Sequence, residues 1–380
     1  MTALESPVLT LDTLLRRICG NLRLSDALHA LAEERYNAVA AWLMAPGSPF
    51  ALANPQIYSQ GSLRIGTTVR PRGRNEFDLD LVLELQLVIA ANADPMKVLD
   101  AVERRLRESG VYRDMVERKN RCIRLNYSGE FHLDILPGVP NPAATNGAIL
   151  VPDCEARAWK HSNPKGYAEW YEERRRTEEE HRRILDGLEP LPASASTAET
   201  PPLTRSVQLI KRWRDVAYES DPSLAPISIV LTTLSATHYG RQMSESDAIA
   251  QILAGTVNSI PSSGRLFVFN PTNRLEDLSE RWSDPKVYEA FVSGIRALQA
   301  QWSRLLTLRG LANIVPALEA LFGPDVVQRA LRDEVSHLEG ARAQQNVGIG
   351  TSGMVITAPK PERPMPKNTF YGDTDDGDAD

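Results

Sequence analysis

The segment FDLDLVLEL at residues 77–85 constrains the fold more than any other part of the chain, because its side chains alternate strictly. Asp78 and Asp80 lie on one face of this pattern, and the other face carries Phe77, Leu79, Leu81 and Leu83. Successive side chains of a strand point to opposite faces of a sheet, so the alternation predicts a β-strand with one apolar face. The two aspartates then project from the same face with their Cα atoms about 6 to 7 Å apart.

Two further segments carry residues that fit this strand. FHLDILP places Asp134 between apolar neighbours that face the other way, which are Phe131, Leu133 and Ile135. SQGSLRIG contains Gly61 and Ser62, sixteen residues before Asp78. A Gly-Ser turn that leads into a helix offers main-chain amides, a hydroxyl and the positive end of the helix dipole to a phosphate.

Three carboxylates and a phosphate-binding turn suit phosphoryl transfer from a nucleoside triphosphate. That reaction uses two metal ions about 3.5 to 4 Å apart, and magnesium prefers hard oxygen ligands. We therefore predict that Asp78, Asp80 and Asp134 bind metal and that Asp134 also activates the attacking hydroxyl. Taken singly, a Gly-Ser pair is mostly a turn and an Asp-x-Asp pair is commonly a solvated strand face. Their combination is much harder to obtain by chance.

The rest of the chain predicts an α+β protein with a mainly helical second half. Helical spacing of apolar residues appears at 9–45, at 94–110 and in several segments after residue 202, and RCIRLNY reads as another strand. We expect a catalytic domain at 1–160 that includes the N-terminal helices, a helical nucleotide-binding or lid domain at 161–340, and a flexible tail at 341–380. The charged segment 163–188 predicts a solvated helix, and the Pro-, Ser- and Ala-rich stretch 189–202 predicts a mobile loop.

Composition excludes several classes of protein. The net charge of -6 argues against binding to long nucleic acid, which needs a broad basic surface. No apolar run approaches the roughly 18 residues of a membrane span, and the N-terminus does not resemble a signal peptide, so we expect a cytosolic protein without a membrane partner. The three cysteines, Cys19, Cys122 and Cys154, have neither the number nor the spacing of a disulfide framework or a zinc site.

GSLRIGT, NEFDLDLVLEL and FHLDILPGVP, in this order, resemble the polymerase-beta-type nucleotidyltransferase superfamily. More narrowly, the chain resembles the bacterial cGAS/DncV-like nucleotidyltransferases (CD-NTases) of anti-phage signalling. This closer resemblance rests on the insert TTVRPRGRNE, on LIKRWRD at 209–215, on PISIVL at 226–231 and on NPTNRLEDLSERW. It implies a polymerase-beta-like sheet and a triphosphate-binding role for Lys211, with Ser228 beside the donor phosphates.

The same resemblance implies an enzyme that joins ATP, GTP or both into a cyclic di- or trinucleotide with two Mg²⁺ ions, or Mn²⁺ in their place. Two other functions stay open: transfer of one nucleotide to a protein or drug, and a nucleotide-binding scaffold without catalysis. Relatives also suggest a ubiquitin-transfer-like enzyme as partner of the C-terminal tail. That tail contains Phe370 and Tyr371 but continues through DTDDGDAD.

Two assignments have structural alternatives at this stage. Lys211 can pair with Asp215 one helical turn away instead of binding phosphate. Arg70, Arg72 and Arg74 can line the cleft or solvate a loop.

Overall fold

The fold is described by a computed structural model that covers residues 11–72, 76–86, 94–144, 146–176, 200–344, 347–349 and 355–357. The helices are α1 (Leu11–Leu22), α2 (Asp26–Met44), α3 (Gly61–Arg64), α4 (Met96–Arg107), α5 (Pro164–Arg175), α6 (Pro202–Ala217), α7 (Ser228–His238), α8 (Glu245–Asn258), α9 (Pro285–Thr307), α10 (Leu311–Phe322) and α11 (Pro324–Ala343). The strands are β1 (Gln56–Gln60), β2 (Phe77–Glu84), β3 (Val116–Arg118), β4 (Ile123–Tyr127), β5 (Phe131–Pro140), β6 (Ile149–Asp153), β7 (Ala158–Ser162), β8 (Phe269–Asn270), β9 (Asn273–Asp277), β10 (Val347–Ile349) and β11 (Val355–Thr357).

The main sheet has the strand order β1-β2-β5-β4-β3, and β6 and β7 extend it from the end of β5. β2 and β5 run parallel, and the other neighbours are antiparallel. The register pairs Asp80 with Asp134 across β2 and β5. Both strands predicted from alternation are confirmed, and their pairing puts the predicted carboxylates on neighbouring strands about 4.8 Å apart.

The apolar face of this sheet forms one hydrophobic core. Leu79, Leu81, Leu133 and Ile135 are fully buried there, against side chains from α4 and α2 that include Val39, Leu43, Leu99, Val102 and Leu106. Burial of this face fixes the strand register, since a slip of one residue would turn every apolar side chain toward solvent. The opposite face is therefore free to carry the acidic side chains.

A second core lies among the helices. Leu14 and Ile18 of α1 are buried there with residues of the C-terminal helices, among them Val207, Ile210, Trp302 and Phe322. An ion pair of 2.8 Å between Arg17 and Glu334 also joins α1 to α11. Of the two N-terminal helices, α2 buries side chains in the core of the sheet and α1 buries side chains in this second core. The division near residue 160 stays a prediction.

The C-terminal segment contains more structure than its composition predicts. α11 continues to Ala343, and β10 pairs antiparallel with β11, with Val347 opposite Thr357. These short segments belong to the tail at 341–380, whose flexibility stays a prediction, and 358–380 lies outside the described residues. The predicted loop 189–202 is described only from residue 200, and the charged segment only to residue 176, just past the end of α5.

None of the helices in the described ranges has the length and apolar content needed to span a bilayer. The three cysteines are free thiols.

Candidate active site

Three aspartates form what we call the carboxylate centre: Asp78 and Asp80 on β2 and Asp134 on β5. They lie on the polar face of the sheet, opposite the core. The Asp78 side chain is 55% exposed and that of Asp134 is 14% exposed. The centre thus has one carboxylate open to solvent and two that are largely enclosed.

Enclosure and like charge perturb these acids. Burial, with the nearby charges of Asp134 and Asp78, raises the pKa of Asp80 to about 7. Burial also raises the pKa of Asp78, where the Arg124 guanidinium acts in the opposite direction. Desolvation and neighbouring carboxylates both disfavour the ionised form, so this centre favours the approach of a cation.

Arg124 of β4 contacts two of the three carboxylates. It lies directly opposite Asp134 in the β4-β5 register. Its Nε and Nη2 donate to the two carboxylate oxygens of Asp134 at 2.7 and 2.8 Å, and Nη2 also donates to Asp78 at 3.0 Å. The sequence analysis missed Arg124. The alternation of IRLNY was the available signal, because it places Arg124 on the face of the strand opposite to the apolar side chains of Ile123 and Leu125.

The donor set suits magnesium, because all three side chains offer hard carboxylate oxygens. Within the described ranges, however, no group of three or more His, Cys, Asp or Glu side chains is arranged to hold a metal ion as it stands. Both oxygens of Asp134 and one of Asp78 accept hydrogen bonds from the Arg124 guanidinium, so a cation at these atoms would share them with the arginine. The metal assignment stays a prediction.

Gly61 and Ser62 begin the short helix α3, directly after β1. Gln60 is the register partner of Asp80, so the chain passes the carboxylate as it turns. Gly61 has φ of +62°, and a Cβ there would lie 2.2 Å from Oδ2 of Asp80. Only glycine fits this turn without strain.

Lys211 lies on α6, and only 9% of the residue is exposed. Its Nζ donates to the carbonyl oxygen of Thr67 at 3.0 Å. Burial and the nearby Arg214 lower the pKa of Lys211 to about 8. The alternative partner Asp215 forms its ion pair with Arg214 instead, at 2.8 Å. The lysine therefore contacts the segment that follows the Gly-Ser turn.

Ser228 is the first residue of α7, where backbone amides lack partners within the helix. Its Oγ accepts a hydrogen bond of 2.5 Å from Nη1 of Arg214. The sequence analysis did not select Arg214, which lies three residues after Lys211 and therefore on the same side of α6.

A cavity of about 280 Å³ gathers most of the predicted residues. Its lining includes Gly61, Ser62, Asp78, Asp80, Lys211, Arg214 and Ser228. Arg72 lines it as well and pairs with Glu219 at 3.1 Å, Arg70 is exposed, and Arg74 lies outside the described residues. Asp134 does not line this cavity and faces Arg124.

A larger cavity of about 750 Å³ adjoins the first and shares Gly61, Ile65, Asp80 and Ile229 with it. Its other walls include residues 120–121 just before β4, β7, α5 and the 270–283 segment. Arg121 joins the sheet to that segment, because it pairs with Asp153 at 2.8 Å and with Glu280 at 2.6 Å. Two cavities thus meet at Asp80.

Comparisons with known proteins identify the family of this chain. Residues 9–174 match the family described as Second Messenger Oligonucleotide or Dinucleotide Synthetase domain (SMODS). A c-di-GMP synthase of Roseivirga ehrenbergii is 36% identical over 89% of this chain and 91% of its own. The cyclic dinucleotide synthase CdnG of Bradyrhizobium diazoefficiens is 29% identical, over 85% of this chain and 82% of its own.

The solved structure of the Bradyrhizobium diazoefficiens CD-NTase CdnG in complex with GTP superimposes with a TM-score of 0.70 at 27% identity. It covers 85% of this chain and 98% of that one. The predicted α+β nucleotidyltransferase fold is confirmed. The extent and identity of the Roseivirga match decide the family: the chain belongs to the second messenger oligonucleotide or dinucleotide synthetases, the bacterial CD-NTases, and is a nucleotidyltransferase.

Proposed function

We propose that this enzyme joins nucleoside triphosphates into a cyclic oligonucleotide, specifically a cyclic dinucleotide built from GTP. The observation that carries the proposal is that Asp78 and Asp80 line one cavity with Gly61, Ser62 and Lys211, and that a larger cavity adjoins it at Asp80. The guanine preference is supported by relatives, one called a c-di-GMP synthase and one solved with GTP. A role in anti-phage signalling is part of the same proposal.

Asp78, Asp80 and Asp134 would hold the divalent cations, Mg²⁺ or Mn²⁺. When bound, two such ions polarise the transferring phosphoryl group and acidify the attacking hydroxyl. Asp134 accepts the proton of a ribose hydroxyl, whose oxygen forms a bond to the α-phosphorus of the second nucleotide. The bond from that phosphorus to the β-phosphate oxygen breaks, and pyrophosphate leaves. A second such transfer closes the ring.

The triphosphate of the donor belongs in the smaller cavity. Gly61, Ser62 and Ser228 at the N-terminus of α7 all line this cavity. Lys211 supplies a positive charge once it exchanges the Thr67 carbonyl for a phosphate oxygen. Charge-assisted contacts of this kind are about twice as strong as neutral hydrogen bonds.

The acceptor nucleotide belongs in the larger cavity. A volume of about 750 Å³ lies within the range of pockets that enclose molecules of nucleotide size. Because Asp80 lines both cavities, an acceptor hydroxyl in one and an α-phosphate in the other can meet at the carboxylate centre. This geometry favours joining two nucleotides over transfer of a single nucleotide to a protein.

Nucleotide selection tests the proposal. The purified enzyme is incubated with magnesium and with GTP alone, ATP alone or both, and the products are treated with phosphatase and identified by mass. We expect c-di-GMP from GTP alone. A mixed or adenine-only product would overturn the guanine assignment, and labelling of the protein itself would favour mononucleotide transfer.

A further inference from the structure

Arg124 is the one arginine seen to bridge two members of the carboxylate centre in the described chain. It approaches from β4, the strand next to β5 on the side away from β2. Its side chain is 19% exposed, and it makes three hydrogen bonds with Asp134 and Asp78 between 2.7 and 3.0 Å.

These three contacts are not equivalent. The two bonds to Asp134 use separate guanidinium nitrogens on separate carboxylate oxygens, which fixes both the position and the plane of that carboxylate. The bond to Asp78 is single, is the longest of the three and involves a carboxylate that is 55% exposed. Asp78 is therefore the member that Arg124 releases at least cost.

The charge of Arg124 matters as much as its geometry. Three carboxylates on adjacent strands repel one another, and a guanidinium between two of them offsets part of that repulsion. A divalent cation bound by the same oxygens would face both the positive charge and the competing hydrogen bonds.

We propose that Arg124 is a positioning residue of the nucleotidyltransferase centre, which holds the Asp134 carboxylate in place and competes with divalent cations for Asp78. Cation loading then requires Arg124 to release Asp78 while it keeps Asp134. This inference rests on the proposed function, in which the aspartates are metal ligands.

The same sheet provides a matched control. Arg118 of β3 also binds two carboxylates, Asp100 at 2.6 Å and Glu103 at 2.6 Å, on helix α4. Its partners line neither of the two cavities. Loss of Arg118 therefore removes a sheet arginine that bridges two carboxylates, and it leaves the carboxylate centre unchanged.

The test compares Arg124→Gln, Arg124→Lys and Arg118→Gln with the wild type. Binding of Mn²⁺ alone, without nucleotide, is measured by electron paramagnetic resonance, and kcat and KM for GTP are measured at saturating metal. Circular dichroism checks that each variant is folded.

We expect Arg124→Gln to bind Mn²⁺ about tenfold more tightly, because the competing charge is gone. Its kcat should fall by about tenfold or more with KM for GTP nearly unchanged, because Asp134 is no longer held in place. Arg124→Lys keeps the charge but not the two-pronged contact, so its Mn²⁺ affinity should stay near that of the wild type while kcat stays low. Arg118→Gln should match the wild type in all three quantities.

Unchanged or weaker Mn²⁺ binding by Arg124→Gln would overturn the inference and leave the proposed function intact. A wild type that binds no Mn²⁺ would refute the metal centre itself, and this inference with it. If Arg124→Gln does not fold, Arg124→Lys decides the question, since wild-type kcat in that variant would exclude a positioning role.

Discussion

At the scale of single residues, the protonation of Asp80 is strongly perturbed by its surroundings. Its burial and the neighbouring carboxylates of Asp134 and Asp78 raise its pKa to about 7. Proteins commonly keep such perturbed acids where function needs them. The contribution of Asp80 to the free energy of unfolding therefore depends on pH.

In the metal-free protein at pH values between about 4 and 7, folded Asp80 keeps a proton that the unfolded chain has already released. A raised pKa in the folded state means that this contribution to stability is complete at low pH and is lost as the pH rises through about 7. Asp80→Asn cannot ionise, so its stability relative to the wild type should increase from pH 5 to pH 8, by on the order of 1 to 3 kcal/mol. Urea unfolding in the presence of a chelator measures this, and a difference that does not change with pH would refute the perturbed state.

Lys211 is the second residue whose charge is central to the proposed reaction. Its ammonium donates to a backbone carbonyl beside the Gly-Ser turn and forms no ion pair with Asp215 among the described residues. We predict that Lys211→Ala weakens binding of GTP by about 10- to 100-fold and hardly affects GMP, which lacks the terminal phosphates. Calorimetric titration of both nucleotides measures this, with the exposed Lys286→Ala as the control. Equal losses for the two nucleotides would favour a structural role.

At the scale of elements, the turn between β1 and α3 is a point of close approach. Gly61 and Gly66 both have positive φ, +62° and +73°, but only Gly61 lies against a site residue. A Cβ at Gly66 would meet nothing nearer than Nη1 of Arg175 at 4.0 Å. Substitution of the two glycines by alanine therefore distinguishes the effect of backbone strain from the effect of contact with Asp80.

Both Gly61→Ala and Gly66→Ala should lose roughly 1 kcal/mol of stability from the left-handed backbone. We predict that Gly61→Ala also loses nearly all activity, because its methyl group displaces Asp80, while Gly66→Ala stays active. Thermal unfolding and pyrophosphate release measure the two effects. Comparable activity in both variants would show that the close approach is not required.

The sequence predicted individual strands better than their arrangement. Alternation in FDLDLVLEL and FHLDILP defined β2 and β5 because each strand buries one face, a local property of a segment. The position of Arg124 depends on which strand pairs with β5 and in what register, and this is a long-range property. The packing of α1 is long-range in the same sense, because an apolar helical face does not specify which core will cover it.

At the scale of the whole molecule, the proposed reaction takes place between two hydrophobic cores. The sheet supplies the carboxylate centre, and the helices supply Lys211, Arg214 and Ser228. Ion pairs from Arg121 and Lys160 to Glu280 hold the two sides together across the larger cavity. The proposed site therefore needs both halves of the chain.

The C-terminal residues 358–380 are proposed to bind a protein partner, a ubiquitin-transfer-like enzyme, through the segment that contains Phe370 and Tyr371. We predict that deleting residues 358–380 leaves basal synthesis and the melting temperature unchanged, because the described residues of the proposed site and of both cores come earlier in the chain. Product formation and thermal unfolding of the truncated protein test this prediction. A loss of basal activity or a melting temperature several degrees lower would contradict it.

The most direct test of the account is the amount of phosphatase-resistant product formed from GTP by the wild type, Asp78→Asn and Asp80→Asn, quantified by mass spectrometry. The account predicts a cyclic dinucleotide from the wild type and a loss of at least about 100-fold in each variant, because each removes the charge of a proposed metal ligand. Asp100→Asn changes an exposed carboxylate of α4 that pairs with Arg118, and this variant should retain wild-type synthesis. More than a few per cent of the wild-type product from both Asp78→Asn and Asp80→Asn would contradict the central claim.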